Sequence, residues 1–186
     1  MYSKFLFICL CSLVHLFTTP ADETITWSEK RFLTWTDFTG KPLPSTPNAA
    51  LSQVSILPHA EATGEELTFE VSAIFTPAQS WVRADKMTPY LLKHEQDHFD
   101  IGELFARKMR KELAQKVFVQ KTFSADYKTI TGRISAEFLK FTEEYDLETK
   151  HSLVKEKQEQ WDIKIAKGLK ELDAFKESHF TGKLNP

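Results

Sequence analysis

The stretch Thr88-Pro89-Tyr90-Leu91-Leu92-Lys93-His94-Glu95-Gln96-Asp97-His98-Phe99-Asp100-Ile101 decides how this chain is read. Thr88 is a helix N-cap and Pro89 suits the first helical position, where its missing N–H costs nothing. The helical pattern then runs to about residue 118. Going by threes and fours, the apolar stripe is Leu91, His94, His98, Ile101, Phe105 and Met109. Both histidines therefore fall in the middle of the buried face, and Lys93, Gln96, Asp97 and Lys108 are expected on the solvated one.

Two imidazoles four residues apart sit one above the other on a helix, so they can converge on one ion at about 2.0–2.1 Å each. The intervening Glu95 is poorly placed to join them as a ligand. It is well placed to accept a proton from a metal-activated water, which is the chemistry of the H-E-x-x-H pattern. Helical histidines can also be plain surface residues, but their place in the apolar stripe argues against that here. An unpaired buried polar group costs about 1–3 kcal/mol, and one shared cation satisfies both rings. Zn2+, one per chain, is the expected cofactor.

Outward from this helix the chain divides by pattern. Before it, Thr24 to Thr36 is rich in β-branched and aromatic residues, and residues 40–48 hold three prolines and read as a loop. Residues 50–62 and 67–75 flank Thr63-Gly64-Glu65-Glu66 as a hairpin, with Phe69, Val71, Ala73 and Phe75 on one face. After it, Ser124-Ala125-Asp126 starts a second helix on which Ile130, Ile134, Phe138 and Phe141 keep helical spacing. Val154, Trp161, Ile165, Leu169 and Leu172 continue the pattern past a break near residues 146–152, toward a frayed, Lys-rich C-terminus. The expected fold class is α+β: a small antiparallel sheet in the N-terminal half, and long helices in the C-terminal half that carry the H-E-x-x-H site.

Residues 1–21 read as a signal peptide. Lys4 supplies the positive start, Phe5 to Phe17 the apolar run, and Thr19-Pro20-Ala21 the small residues before a cut. The run is well short of the roughly 20 residues of a membrane-spanning helix. Residues 22–186 are then expected as a single zincin-like metallohydrolase domain, secreted or periplasmic, with no permanent membrane span once the signal is removed. Both cysteines, Cys9 and Cys11, belong to the signal, so no disulfide is expected in the domain. With 24 Lys+Arg against 26 Asp+Glu, the chain lacks the basic character of a nucleic-acid binder, and no nucleic-acid partner is expected.

A zinc site needs a third protein ligand. Asp100 stands about 200° around the helix from His98, and Glu103 about 180° from His94, so neither points at the ion. The chain lacks the longer H-E-x-x-H-x-x-G-x-x-H pattern, which excludes a metzincin. Of the remaining histidines, His59 follows Pro58 in the first hairpin strand and His179 lies in the tail. His151, expected on a helical face with Leu147 and Val154, is the choice, with Glu144 and Glu148 as alternatives. Tyr145 and Tyr127 are candidate donors to an oxyanion, and Tyr145 is favoured by its closeness to His151. Asp100 reads as a carboxylate that orients a ligand imidazole or pairs with Arg107.

The chain resembles the domain of unknown function 922 family of secreted bacterial proteins, often described as zinc-dependent proteases. The segments that carry the resemblance are Trp35-Thr36-Asp37-Phe38-Thr39-Gly40, the stretch from Phe75 to Ser80-Trp81, Leu91 to Ile101, and Tyr145-Asp146-Leu147-Glu148-Thr149-Lys150-His151, followed by Gln158 and Trp161. The family pattern often has Gly where this chain has Ser152. The resemblance implies Glu95 as base and His151 as third ligand. The expected function is a secreted zinc-dependent hydrolase, most simply a metallopeptidase acting on a peptide or amide substrate. The alternative is a zinc-stabilised envelope binding or assembly protein without turnover.

Overall fold

Alternation in the front half of the chain folds as a hairpin. In the computed structural model, which describes residues 23–186, strand β3 (Val54–Thr63) pairs along its whole length with β4 (Glu66–Phe75). The turn is Gly64-Glu65, and Gly64 has φ 63°, the positive value that the first central residue of a tight two-residue turn demands. The even-spaced Leu67, Phe69, Val71, Ala73 and Phe75 are all buried, and toward the end of β4 Ser72 and Ile74 are covered as well. β4 is therefore the centre of the sheet. β3 lies along one of its edges, and the other is shared by β1 (Ile25–Thr26) and the antiparallel C-terminal strand His179–Asn185. The segment expected to fray is thus a strand. Its far edge pairs in parallel with Phe118–Val119, a short strand that takes the residues expected to end the first helix. Separately, β2 (Ala50–Leu51) pairs antiparallel with β5 (Trp81–Val82).

The chain has three helices among the described residues: α1 (Pro89–Gln115), which packs on the sheet, α2 (Phe123–Thr149) and α3 (Lys155–Glu171). With the Phe118–Val119 strand counted as β6 and the C-terminal strand as β7, the order is an α+β fold, as expected. The region from Thr24 to Thr36 contributes only the two-residue β1 and then a short 3-10 turn, Trp35–Asp37. Among the described residues no helix is long and apolar enough to cross a membrane. The signal peptide expected at residues 1–21 lies outside the described residues.

α1 begins as its sequence dictates: the Thr88 hydroxyl accepts from the Leu91 N–H at 3.1 Å, with Pro89 in the first turn. It lies between the sheet and the other two helices, which changes what its polar face must do. Gln96 and Asp97, expected in solvent, are 6% and 1% exposed. Gln96 accepts from the Leu33 N–H at 2.8 Å and donates to Asp100 at 2.9 Å. Asp100 also accepts from the Trp27 indole at 2.8 Å, while Arg107 pairs with Glu103 at 2.9 Å, so the expected Asp100–Arg107 pair is not formed. Arg110 pairs with the same Glu103 at 2.8 Å and donates to the Val71 carbonyl at 2.9 Å and the Phe175 carbonyl at 3.0 Å. These bonds tie the far half of α1 to the sheet and to the approach to β7.

α1 sits close to the sheet at Gly102, where a Cβ would lie 2.6 Å from Val54 Cγ1 and 3.5 Å from Ala73 Cβ. Gly102→Leu is expected to lower stability by about 1–3 kcal/mol through overpacking, measured by urea unfolding. Gly132, on α2, has nothing within 4 Å of a Cβ. There Gly132→Ala is expected to raise stability by up to about 1 kcal/mol through helix propensity.

Candidate metal centre

His94 and His98 leave α1 on adjacent turns and face α2. His94 Nε2 stands 3.2 Å and His98 Nε2 3.1 Å from the same oxygen, Asp146 Oδ1. The two rings are 2% and 8% exposed, with centroids 4.9 Å apart. One ligand atom from each of His94, His98 and Asp146 lies within 4.8 Å of the other two, an arrangement that can hold a metal ion. Electrostatics agrees with convergence. The Asp146 carboxyl is held well below the usual range: burial opposes this, and the adjacent His94 and His98 imidazoles outweigh it. Burial also works against a charged His98, and the Asp146 carboxylate raises it above the ordinary histidine value.

These groups line a cavity of about 150 Å³ whose other walls include Glu95, Leu91, Thr142, His151 and the segment Asn48–Ser52. Glu95 is 3% exposed and accepts a hydrogen bond from Ser52 Oγ at 2.7 Å. Ser52 is positioned in turn by its neighbour: the Gln53 N–H donates to the buried Ser80 hydroxyl at 2.9 Å, and that hydroxyl donates to the Thr76 carbonyl at 2.9 Å. Thr142, one turn before Asp146, has a buried hydroxyl with no hydrogen-bond partner among the described residues. An orphaned donor in a cavity walled by three histidines and two carboxylates is what a site made to receive a bound group presents.

His151 reaches this cavity by a different route from the one expected. It does not lie on a helical face with Leu147, which is 68% exposed. α2 ends at Thr149, and Lys150, His151 and Ser152 follow with φ of 49°, 51° and 72°. The Lys150 and His151 N–H groups both turn back to the Asp146 carbonyl, the latter at 3.0 Å. His151 Nδ1 then stands 3.3 Å from Asp146 Oδ1, with its side chain 51% exposed. The three mutually close ligand atoms belong to His94, His98 and Asp146, with His151 beside them at the cavity wall. Positive φ at Ser152 is a backbone conformation that favours glycine.

The remaining candidates lie elsewhere. Glu144 faces Lys164 at 3.9 Å, and Glu148 accepts from the Trp161 indole at 3.1 Å. His59 is exposed on β3, and His179 pairs with Glu70 at 3.2 Å. Tyr145 is fully buried with its ring stacked on His94 at 4.6 Å, and its hydroxyl donates to Gln158 Oε1 at 2.9 Å, in the layer behind the histidines rather than in the cavity wall. Burial pushes that phenol far above its ordinary value. The Tyr127 hydroxyl is buried without a partner among the described residues, in an aromatic cluster with Phe69 and Phe123. In the Tyr145 layer, burial pushes Asp97 up to about 8, with the adjacent Asp162 adding to the shift and Lys93 opposing it.

Sequence reasoning missed Asp146 because it sought the third ligand among histidines and the two neighbouring glutamates. The signal was present. Asp146 lies four residues after Thr142 and directly after Tyr145, at the edge of the buried stripe Ile134, Phe138, Tyr145, so its side chain points toward α1.

Fold and site thus define an α+β protein with a candidate His/Asp metal centre between two helices. Residues 29–152 match the family described as "Bacterial protein of unknown function (DUF922)", and the chain belongs to that family. The match takes in Glu95, both α1 histidines, Asp146 and His151, and ends before α3. The chain has no significant match among curated proteins or solved structures.

Asp146→Ala is expected to weaken Zn2+ binding by more than the roughly 10–100-fold typical of losing an outer partner of a ligand. His151→Ala is expected to stay within that range. Competition titration against a chromophoric chelator measures both.

Proposed function

We propose that the chain is a secreted zinc-dependent hydrolase acting on a peptide or amide bond. The observation that carries this reading is that His94 and His98 converge on Asp146 in a cavity that Glu95 also lines. Two imidazoles and one carboxylate are a donor set that zinc accepts, and a site with three protein ligands keeps the fourth position that catalysis requires. When bound, zinc supplies a Lewis acid that brings the pKa of a water to about 7.

The chain's own groups have distinct tasks in this reading. Glu95 is the general base. Its Oε2 is held by the Ser52 hydroxyl at 2.7 Å, which leaves the other carboxylate oxygen free to take a proton inside the cavity. His151, half-exposed at the cavity wall, stabilises negative charge developing on the substrate carbonyl, a role for which Tyr145 is poorly oriented. Thr142 supplies a hydroxyl with an unused hydrogen bond. Asn48–Ser52, the strand segment beside Glu95, borders the substrate. A cavity of about 150 Å³ admits only the group being cut and a small neighbour, so the rest of a substrate lies along the surface.

The competing reading is a zinc-stabilised envelope binding or assembly protein. His151 favours it, since a fourth donor 3.3 Å from Asp146 Oδ1 would close the site in the manner of structural zinc.

The two readings separate on turnover. Wild type is expected to bind about one zinc per chain by elemental analysis, and His94→Ala/His98→Ala to bind none. Glu95→Gln is expected to retain zinc while losing at least about 100-fold in the rate of peptide or amide cleavage, the contribution of a general base. Zinc-loaded wild type and Glu95→Gln behaving alike across peptide, cell-wall amide and ester panels would leave the binding-protein reading in its place.

A further inference from the structure

We propose that Gln158, on α3 and beyond the segment matched by the family, fixes the tautomer of His94 and so makes its Nε2 the metal-facing atom. The inference rests on the metal-centre reading for its consequence and on hydrogen-bond geometry for its substance. Gln158 is 1% exposed. Its amide nitrogen is surrounded by acceptors: Asp97 Oδ2 at 2.6 Å, Asp162 Oδ1 at 2.9 Å and the Tyr145 oxygen at 2.6 Å. An amide NH2 can only donate, so the two carboxyl groups orient the side chain and leave Oε1 directed at His94 Nδ1, 2.9 Å away.

Oε1 can only accept. On a neutral His94 the single ring proton then sits on Nδ1, and Nε2 presents a lone pair to the cavity, 3.2 Å from Asp146 Oδ1. A lone pair facing a carboxylate oxygen is unfavourable unless a cation lies between them. The geometry thus prepares the ring for a metal before any metal arrives. The partner is an amide rather than the carboxylate often found behind a zinc-bound imidazole, and the acids stand one bond further out, on the other side of Gln158. Tyr145 completes the clamp: its ring stacks on His94 at 4.6 Å while its hydroxyl meets Gln158. α3 is thereby part of the site although none of its residues lines the cavity. Gln158 acts as a positioning residue.

The test uses the full chain from residue 22, labelled with 15N-histidine, in metal-free form at pH 8. Long-range 1H–15N spectra are expected to show His94 protonated on Nδ1 in wild type. In Gln158→Leu the proton is expected to move to Nε2, and Zn2+ affinity, read by chelator competition, to fall about 10–100-fold. A wild-type His94 protonated on Nε2 overturns the proposal, and this measurement stands even where Gln158→Leu fails to fold. So does a folded Gln158→Leu that keeps both the tautomer and the affinity. A wild type that shows the Nδ1 tautomer yet takes up no zinc defeats the metal-centre reading and leaves the tautomer assignment intact.

Discussion

The structure depends on a long helix that is enclosed along most of its length. α1 runs for 27 residues between the sheet and two other helices, and its buried positions include His94, Glu95, Gln96, Asp97, His98, Glu103, Arg107 and Arg110. A helix so placed can carry polar side chains only if each finds a partner, since an orphan costs about 1–3 kcal/mol and an unpaired charge far more. The partners come from every layer. Leu33 and Trp27 serve the Gln96–Asp100 pair, the Val71 and Phe175 carbonyls serve Arg110, and Gln158 and Lys93 serve Asp97. His94 and His98 meet the same demand by converging on Asp146. The candidate centre is one more case of the constraint that organises the whole helix.

Asp146 also shows how one residue can fix both a turn and a site. Its backbone carbonyl receives the N–H groups of Lys150 and His151 and so closes α2 into three left-handed residues. Its carboxylate meets the two α1 imidazoles and His151. Left-handed backbone costs a non-glycine residue about 1–2 kcal/mol, and three in succession persist only where surrounding contacts hold them. Here the same residue supplies the anchor for the turn and the charge at the centre of the cavity, so the placement of His151 is set by the group it stands beside.

The sequence was legible where periodicity and local chemistry act together. The hairpin, the Thr88-Pro89 start of α1, the second helix and the break before Lys155 follow from alternation and helical spacing, with capping at Thr88; the cap expected at Ser124 is not used, because α2 already starts at Phe123 after Thr122. The polar face of α1 was misread because solvation was inferred from residue type alone, and a helix covered on every side buries its Gln96 and Asp97 as firmly as its leucines. β7 was missed for a related reason. Seven residues with a short apolar pattern become a strand only because β4 offers an open edge, which is a tertiary fact. At the site, the two α1 histidines were readable from their four-residue spacing. The third partner was readable only as a position at the edge of the buried stripe of α2; that it meets both imidazoles depends on how α2 crosses α1, which spacing along one helix does not give.

Charge balance bears on the divalent ion proposed for the centre. The cavity wall holds two carboxyl groups, those of buried Glu95 and half-buried Asp146, and Lys93 is engaged with Asp97 and Asp162. Protonating His98 would offset the Asp146 carboxylate. Protonating His94 as well would set two imidazolium rings 4.9 Å apart, a like-charge contact that burial makes worse. A single divalent cation neutralises both carboxylates with neutral imidazoles, and it relieves the lone pair that Gln158 turns toward Asp146. The arrangement of hydrogen-bond partners and the balance of charge therefore call for the same occupant, although the first is set by α3 and the second by α1 and α2.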